Sequence, residues 1–147
     1  MREICTDIDI AAPPERIWHV LTDFANYGQW NPFFVAVEGR PELGAKLALR
    51  TKYSRRLRPA VFEVTVRVVE EPLALMWGGG LGIRGIADGE HGFDLVGDDG
   101  VTHVRHYERL SGLIIPLAGR LIRRLERHYR ELNDALKDRV ECGAASR

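Results

Sequence analysis

Between Leu113 and Val140 the sequence permits little except one long amphipathic helix. Pro116 stands where a first helical turn tolerates proline, and apart from Gly119 no further Gly or Pro interrupts the pattern until Gly143. At roughly 100° per residue, Leu117, Leu121, Leu125, Tyr129, Leu132, Leu136 and Val140 fall within one arc of about 140°. Arg123, Arg124, Glu126, Arg127, Arg130, Glu131, Asp134, Lys137 and Asp138 fall outside it. A stripe about seven turns long, with a charged back, is stable only against a large apolar partner. The rest of the chain must supply that partner.

It does so as strands. Glu3 to Ile10 alternates, with Ile4, Thr6, Ile8 and Ile10 on one side. Pro14 opens a short helix carrying Ile17, Trp18, Val20, Leu21 and Phe24, and Asn26 to Pro32 forms a second short helix or turn. Six strands follow: Phe33–Glu38, a strand from Lys46 to Tyr53, one carrying Phe62, Val64, Val66 and Val68, Leu73–Trp77, Ile86–Val96 and Val101–Leu110. A basic loop, Ser54 to Pro59, separates the second and third of these. Gly78 to Gly82 lacks the Gly-Lys-Ser/Thr that a phosphate cradle needs and reads as a flexible loop, a plausible gate with the Trp30 segment. Strands in series followed by a helix indicate an α+β fold, an antiparallel sheet with the helix on one face.

Composition narrows the function. With 147 residues the chain makes one domain with a sound core, expected over residues 1–141 with a short tail at 142–147. Lys+Arg and Asp+Glu balance at 21 each, which argues against a nucleic-acid binder, whose affinity rests on phosphate neutralisation. No apolar run approaches the ~18–20 residues of a membrane span, and no signal peptide is evident. Cys5 and Cys142 have no metal or redox spacing and read as reduced thiols. A cytoplasmic location is expected, without stable membrane insertion.

The last hairpin carries the most chemistry. If Gly97 pairs with Gly100, paired numbers sum to 197 and His91 faces His106. One face then carries His91, Phe93, Leu95, Thr102, Val104, His106, Glu108 and Leu110; the other carries Glu90, Asp94, His103, Arg105, Tyr107 and Arg109. The Glu71-Pro72 turn likewise places Leu75 and Trp77 inside with Val66 and Val68. Two imidazoles and a carboxylate therefore look toward the helix, where His128 also lies in the apolar arc. Buried dry and unpaired they would each cost a few kcal/mol, so they must pair, meet water or line a cavity.

The Ala-Pro-Pro-Glu-Arg-Ile-Trp opening, Tyr27…Trp30-Asn31-Pro32, Trp77, His91-Gly92-Phe93, His106-x-Glu108-x-Leu110-x-Gly112 and the long last helix resemble bacterial members of the START/Bet v 1-like (SRPBCC) superfamily, nearest the polyketide cyclase/dehydrase and lipid-transport group. The resemblance implies a helix-grip fold: a seven-stranded antiparallel sheet wrapped around the C-terminal helix, with a lipophilic cavity between them. It maps Trp77, His91, Phe93, His106 and Glu108 to the cavity side. The candidate ligand-contacting set is Tyr53, Val66, Leu75, Trp77, His91, Phe93, Val104, His106, Glu108, Leu121, Leu125 and His128. His91, His106 and Glu108 are the candidates for acid–base chemistry, since a His–carboxylate pair suits proton abstraction beside a carbonyl. The same three residues could instead be a structural hydrogen-bond network. No metal or cofactor is expected. The functional expectations are a binder or carrier of a small lipophilic molecule (polyketide, fatty acyl, quinone or isoprenoid), a cyclase/dehydratase-type enzyme, or a module that docks a protein or membrane. The sequence leaves oligomeric state open.

Overall fold

The structure, a computed structural model, describes residues 1–80 and 85–145. The order is β1 (Arg2–Ile10), α1 (Pro14–Thr22), a 3-10 helix (Phe24–Gln29), β2 (Phe34–Glu38), β3 (Lys46–Thr51), β4 (Ala60–Glu70), β5 (Ala74–Gly80), β6 (Asp88–Asp98), β7 (Val101–Ser111), a 3-10 turn (Ile115–Leu117) and α2 (Gly119–Ala145). The strands form one antiparallel sheet in the order β1-β7-β6-β5-β4-β3-β2. This is the helix-grip arrangement expected above. Alternation places Ile4, Thr6 and Ile10 inside, together with Leu75 and Trp77 of β5, Phe93 and Leu95 of β6, and Val104, His106 and Leu110 of β7.

Helix α2 closes the inner face with Leu125, Tyr129, Leu132, Leu136 and Val140. Its C-terminal half is fastened to the β1 side at three heights. Asn133 Nδ2 donates to Thr6 Oγ1 at 2.9 Å, Lys137 Nζ to the Asp9 carbonyl at 2.7 Å, and the Ala11 N–H to Glu141 Oε1 at 3.0 Å. Among the described residues no helix is long and apolar enough to cross a membrane. Cys5 and Cys142 are both exposed and no disulfide joins them.

Four local features differ from the sequence reading. The helix begins at Gly119 rather than Leu113, because Ile115-Pro116-Leu117 closes a separate 3-10 turn, and it runs on to Ala145, past the expected end at Val140. Leu117 is consequently 89% exposed and Leu121 43% exposed, and Ile122 takes the inward position at the start of α2. In the last hairpin the two-residue loop is Asp99-Gly100, both with positive φ (51° and 83°), which a tight primed turn requires. Gly97 therefore pairs with Thr102, and His91 with Glu108 rather than His106. This is a slip of two residues, so every side chain keeps its face. A bulge in β4 between Val66 and Val68 gives the inward place expected for Val68 to Val69, which packs on the core opposite Leu75. Finally, Gly78, Gly79 and Gly80 are not a loop: they extend β5 and pair with Glu90, Gly89 and Asp88. The remainder of the expected Gly-rich gate, residues 81–82, lies outside the described residues.

Candidate functional site: a buried hydrogen-bond chain beside a small cavity

The inward polar residues of β6, β7 and α2 form one continuous chain of hydrogen bonds. Glu108 Oε2 lies 2.6 Å from His91 Nδ1 and accepts from the Tyr129 hydroxyl at 3.1 Å. His91 Nε2 lies 2.9 Å from His106 Nε2, and His106 Nδ1 lies 2.7 Å from Asn133 Oδ1. Asn133 donates onward to Thr6, whose hydroxyl donates to the His106 carbonyl at 3.4 Å. All six residues are buried, His106 completely.

Each element supplies one part for a local reason. Cross-strand pairing sets His91 directly opposite Glu108, and Phe93 opposite His106. The helix returns Tyr129 and Asn133, four residues apart, to the same face. The imidazoles are clamped by rings: Trp77 stacks on His91 at 5.1 Å and Phe93 on His106 at 4.4 Å between centroids. Burial, and then the charge of His91, hold His106 well below the ordinary histidine range. Tyr129 is pushed well above the tyrosine range by burial and then by Glu108.

Next to this relay is a cavity of about 70 Å³ walled by Phe33, Phe34, Leu49, Thr51, Tyr53, Phe62, Val64, Trp77, Gly79, Gly89, His91, Glu108, Leu110, Leu125 and Tyr129. Gly79 and Gly89 pair across β5 and β6 and leave its floor bare. A methyl group at Gly89 would sit 2.6 Å from Glu108 Oε1, so the missing side chain is what lets the carboxylate lie on the floor. Thr51, 2% exposed, lines this cavity, and its buried hydroxyl has no hydrogen-bond partner among the described residues. Tyr53 also lines it; burial, then the charge of Glu108, push its hydroxyl up to about 12, so it stays protonated. A larger depression of about 550 Å³ lies between α1 and the far end of α2, on Arg16, His19, Trp30 and Arg139, and touches none of the relay residues.

The candidates thus divide. Tyr53, Trp77, His91, Glu108 and Leu125 line the cavity. His106 sits behind His91 as an inner link of the relay. Val66, Leu75, Phe93 and Val104 are packed core outside the cavity wall. Leu121 is exposed at the start of α2 and is corrected as a wall residue. His128 lies outside the cavity: it stacks on Phe33 and its Nε2 lies 3.2 Å from the Tyr53 carbonyl. Asn31 fastens the entry to β2, its Oδ1 accepting from the Phe33 and Phe34 N–H groups. Tyr129, Asn133, Thr6 and Thr51 were absent from the candidate set. A signal did exist for Asn133: it is a polar residue one turn on from Tyr129, about 20° beyond the edge of the apolar arc.

The sequence model of the family described as polyketide cyclase / dehydrase and lipid transport matches residues 1–141. No curated protein matches by sequence. Among solved structures, a START superfamily protein from Mycobacterium smegmatis is 22% identical, with 95% of this chain and 97% of that one covered and a TM-score of 0.75. The di-domain ARO/CYC BexL is 17% identical, with 96% and 47% covered and a TM-score of 0.76. The Zhui aromatase/cyclase from a Streptomyces species is 17% identical, with 95% and 93% covered and a TM-score of 0.70. At these identities the likeness concerns the fold.

Proposed function

We propose that this chain, which belongs to the polyketide cyclase/dehydrase and lipid transport family, binds and carries a small lipophilic molecule in the space between sheet and helix. The observation carrying this reading is the Thr51 hydroxyl, without a partner among the described residues, in a cavity walled mainly by aromatic and aliphatic side chains beside Glu108. A buried hydroxyl without a partner costs about 1–3 kcal/mol, a cost that a bound polar group would remove. The cavity volume sets the mode of entry. About 70 Å³ is half of the roughly 150 Å³ that holds benzene in an engineered protein cavity. A ligand would therefore place one end here and extend past Phe62 and Leu125, or the wall would open. The surface at that end of the sheet suits loading from an anionic membrane. Residues 47–62 and 111–125 hold eight of the 21 Lys and Arg residues and none of the 21 carboxylates. Among the described residues none of these eight side chains makes an ion pair, and Leu57, Leu113 and Leu117 are exposed between them.

The test is native mass spectrometry of protein purified without denaturant, followed by organic extraction. A stoichiometric lipophilic adduct, lost in Leu125→Phe, supports the reading. No adduct, together with no thermal shift from acyl, quinone and aromatic compounds, would leave a filled core as the better account. A second reading, an acid–base enzyme of cyclase or dehydratase type, draws on the short His91–Glu108 contact at the cavity wall. Turnover of the extracted class that survives Glu108→Gln would exclude it. The burial of His91 and His106 takes away the exposed histidines that a protein-docking module would have used.

A further inference from the structure

Counting protons along the relay defines what the cavity wall offers a ligand. Asn133 gives its N–H to Thr6, so its oxygen faces His106 Nδ1, which must carry a hydrogen. His106 is held neutral by burial, so its Nε2 accepts from His91 Nε2–H. One proton then lies in the 2.6 Å contact between His91 Nδ1 and Glu108 Oε2, and Tyr129 donates to the same Oε2. Whether that proton sits on nitrogen or on Oε2, the other oxygen, Oε1, carries only lone pairs. Oε1 is the atom that lies on the bare floor at Gly89. Thr51 contributes a hydroxyl that can both donate and accept, with no partner of its own.

We infer that the cavity selects a neutral ligand presenting a hydroxyl group, of phenol or enol type, and rejects carboxylates. The hydroxyl donates to Glu108 Oε1 and accepts from Thr51. An anionic carboxylate would set lone pairs against Oε1 in a site where water does not screen them, and a hydrocarbon would leave both polar groups unmet. Among the lipophilic classes open to this fold, the inference favours hydroxylated rings and disfavours free fatty acids. It rests on the ligand-binding reading above and specifies its chemistry.

Isothermal titration with 4-butylphenol, butylbenzene and 4-butylbenzoate at neutral pH tests it. The phenol is expected to bind at least about tenfold more tightly than butylbenzene, the worth of one good hydrogen bond, and the benzoate to give no heat. Thr51→Val should remove several-fold of the phenol's advantage and leave butylbenzene unchanged. Glu108→Gln, which turns an acceptor into a possible donor, should weaken the phenol and admit the benzoate. Equal binding of phenol and butylbenzene, or binding of benzoate to the natural chain, overturns the inference and leaves the ligand-binding reading standing. No heat from any of the three, with no thermal shift, overturns both.

Discussion

Two threonines on the inner face of the sheet allow hydrogen-bond accounting to be tested with one substitution made twice. Thr6 in β1 and Thr51 in β3 are each 2% exposed. The Thr6 hydroxyl accepts from Asn133 and donates to the His106 carbonyl, whereas the Thr51 hydroxyl has no hydrogen-bond partner among the described residues. Valine replaces threonine with almost no change of shape and suits a strand equally well. In Thr6→Val the Asn133 N–H loses its acceptor inside the core, which costs about 1–3 kcal/mol. In Thr51→Val no partner is lost and one unmet polar group disappears, so stability should rise by about 1 kcal/mol. The two variants should therefore lie about 2–4 kcal/mol apart. At about 2–4 °C per kcal/mol for a chain near this size, that separates their melting temperatures by several degrees. Urea unfolding of both, with m-values compared to ensure that the denatured states match, is the measurement. Equal shifts of the same sign would refute the accounting, and so would a Thr51→Val loss larger than that of Thr6→Val.

The buried His106 should make folding sensitive to acid. Its folded-state pKa is lowered, so below the unfolded value, about 6.5, the unfolded chain binds a proton that the native ring refuses. Its contribution is complete above that pH and is lost as pH falls toward the native value, with a limiting slope of about 1.4 kcal/mol per pH unit. Nitrogen-15 NMR should show the neutral Nδ1–H form of His106 persisting in the folded protein well below pH 6.5. His103 should act oppositely. Held between Asp7 and Asp9 on the open face, it has a raised pKa, so its stabilisation is present below the unfolded value and fades as pH rises through the folded one; the pH profile of His103→Gln should lack that component. Gly89→Ala should displace the Glu108 carboxylate from the floor and abolish ligand binding with the chain still folded, seen as loss of the mass-spectrometric adduct. Arg123→Glu with Arg124→Glu should remove any salt-sensitive association with phosphatidylglycerol vesicles, since both cations lie in the carboxylate-free segment 111–125.

What could be read from the sequence follows from which periodicity governs each part. The inner faces of β6 and β7 came out correctly although the pairing was two residues off, because alternation has a period of two and an even slip leaves each side chain on its own face. At the bulge of β4 the slip is odd, and there the assignment of Val68 failed. The start of α2 was misread because Pro116 fits a 3-10 turn as well as a first α-helical turn, and both patterns carry the same residues. Glycines 78–80 looked like a loop because residues without side chains give no alternation to read, yet the strand needs Gly79 bare: it pairs with Gly89 at the cavity floor, and a methyl group there would sit 2.8 Å from the Glu63 carbonyl oxygen. The relay's sheet side was legible from spacing alone, and its helix side would have followed from asking which polar groups lie within the apolar arc or just beyond its edge, where Tyr129 and Asn133 fall. The size of the cavity followed from neither. Two of its walls are Phe33 and Phe34, at the entry to β2, whose backbone N–H groups are held by Asn31 Oδ1. Removing that prop should therefore enlarge the cavity before it unfolds the domain. In Asn31→Ala the Phe33 and Phe34 N–H groups lose their shared acceptor, and the expected result is tighter binding of bulky aromatic ligands together with a lower melting temperature. Unchanged ligand size preference would show that the two phenylalanines are held by their ring contacts with Tyr129 and Trp77 instead.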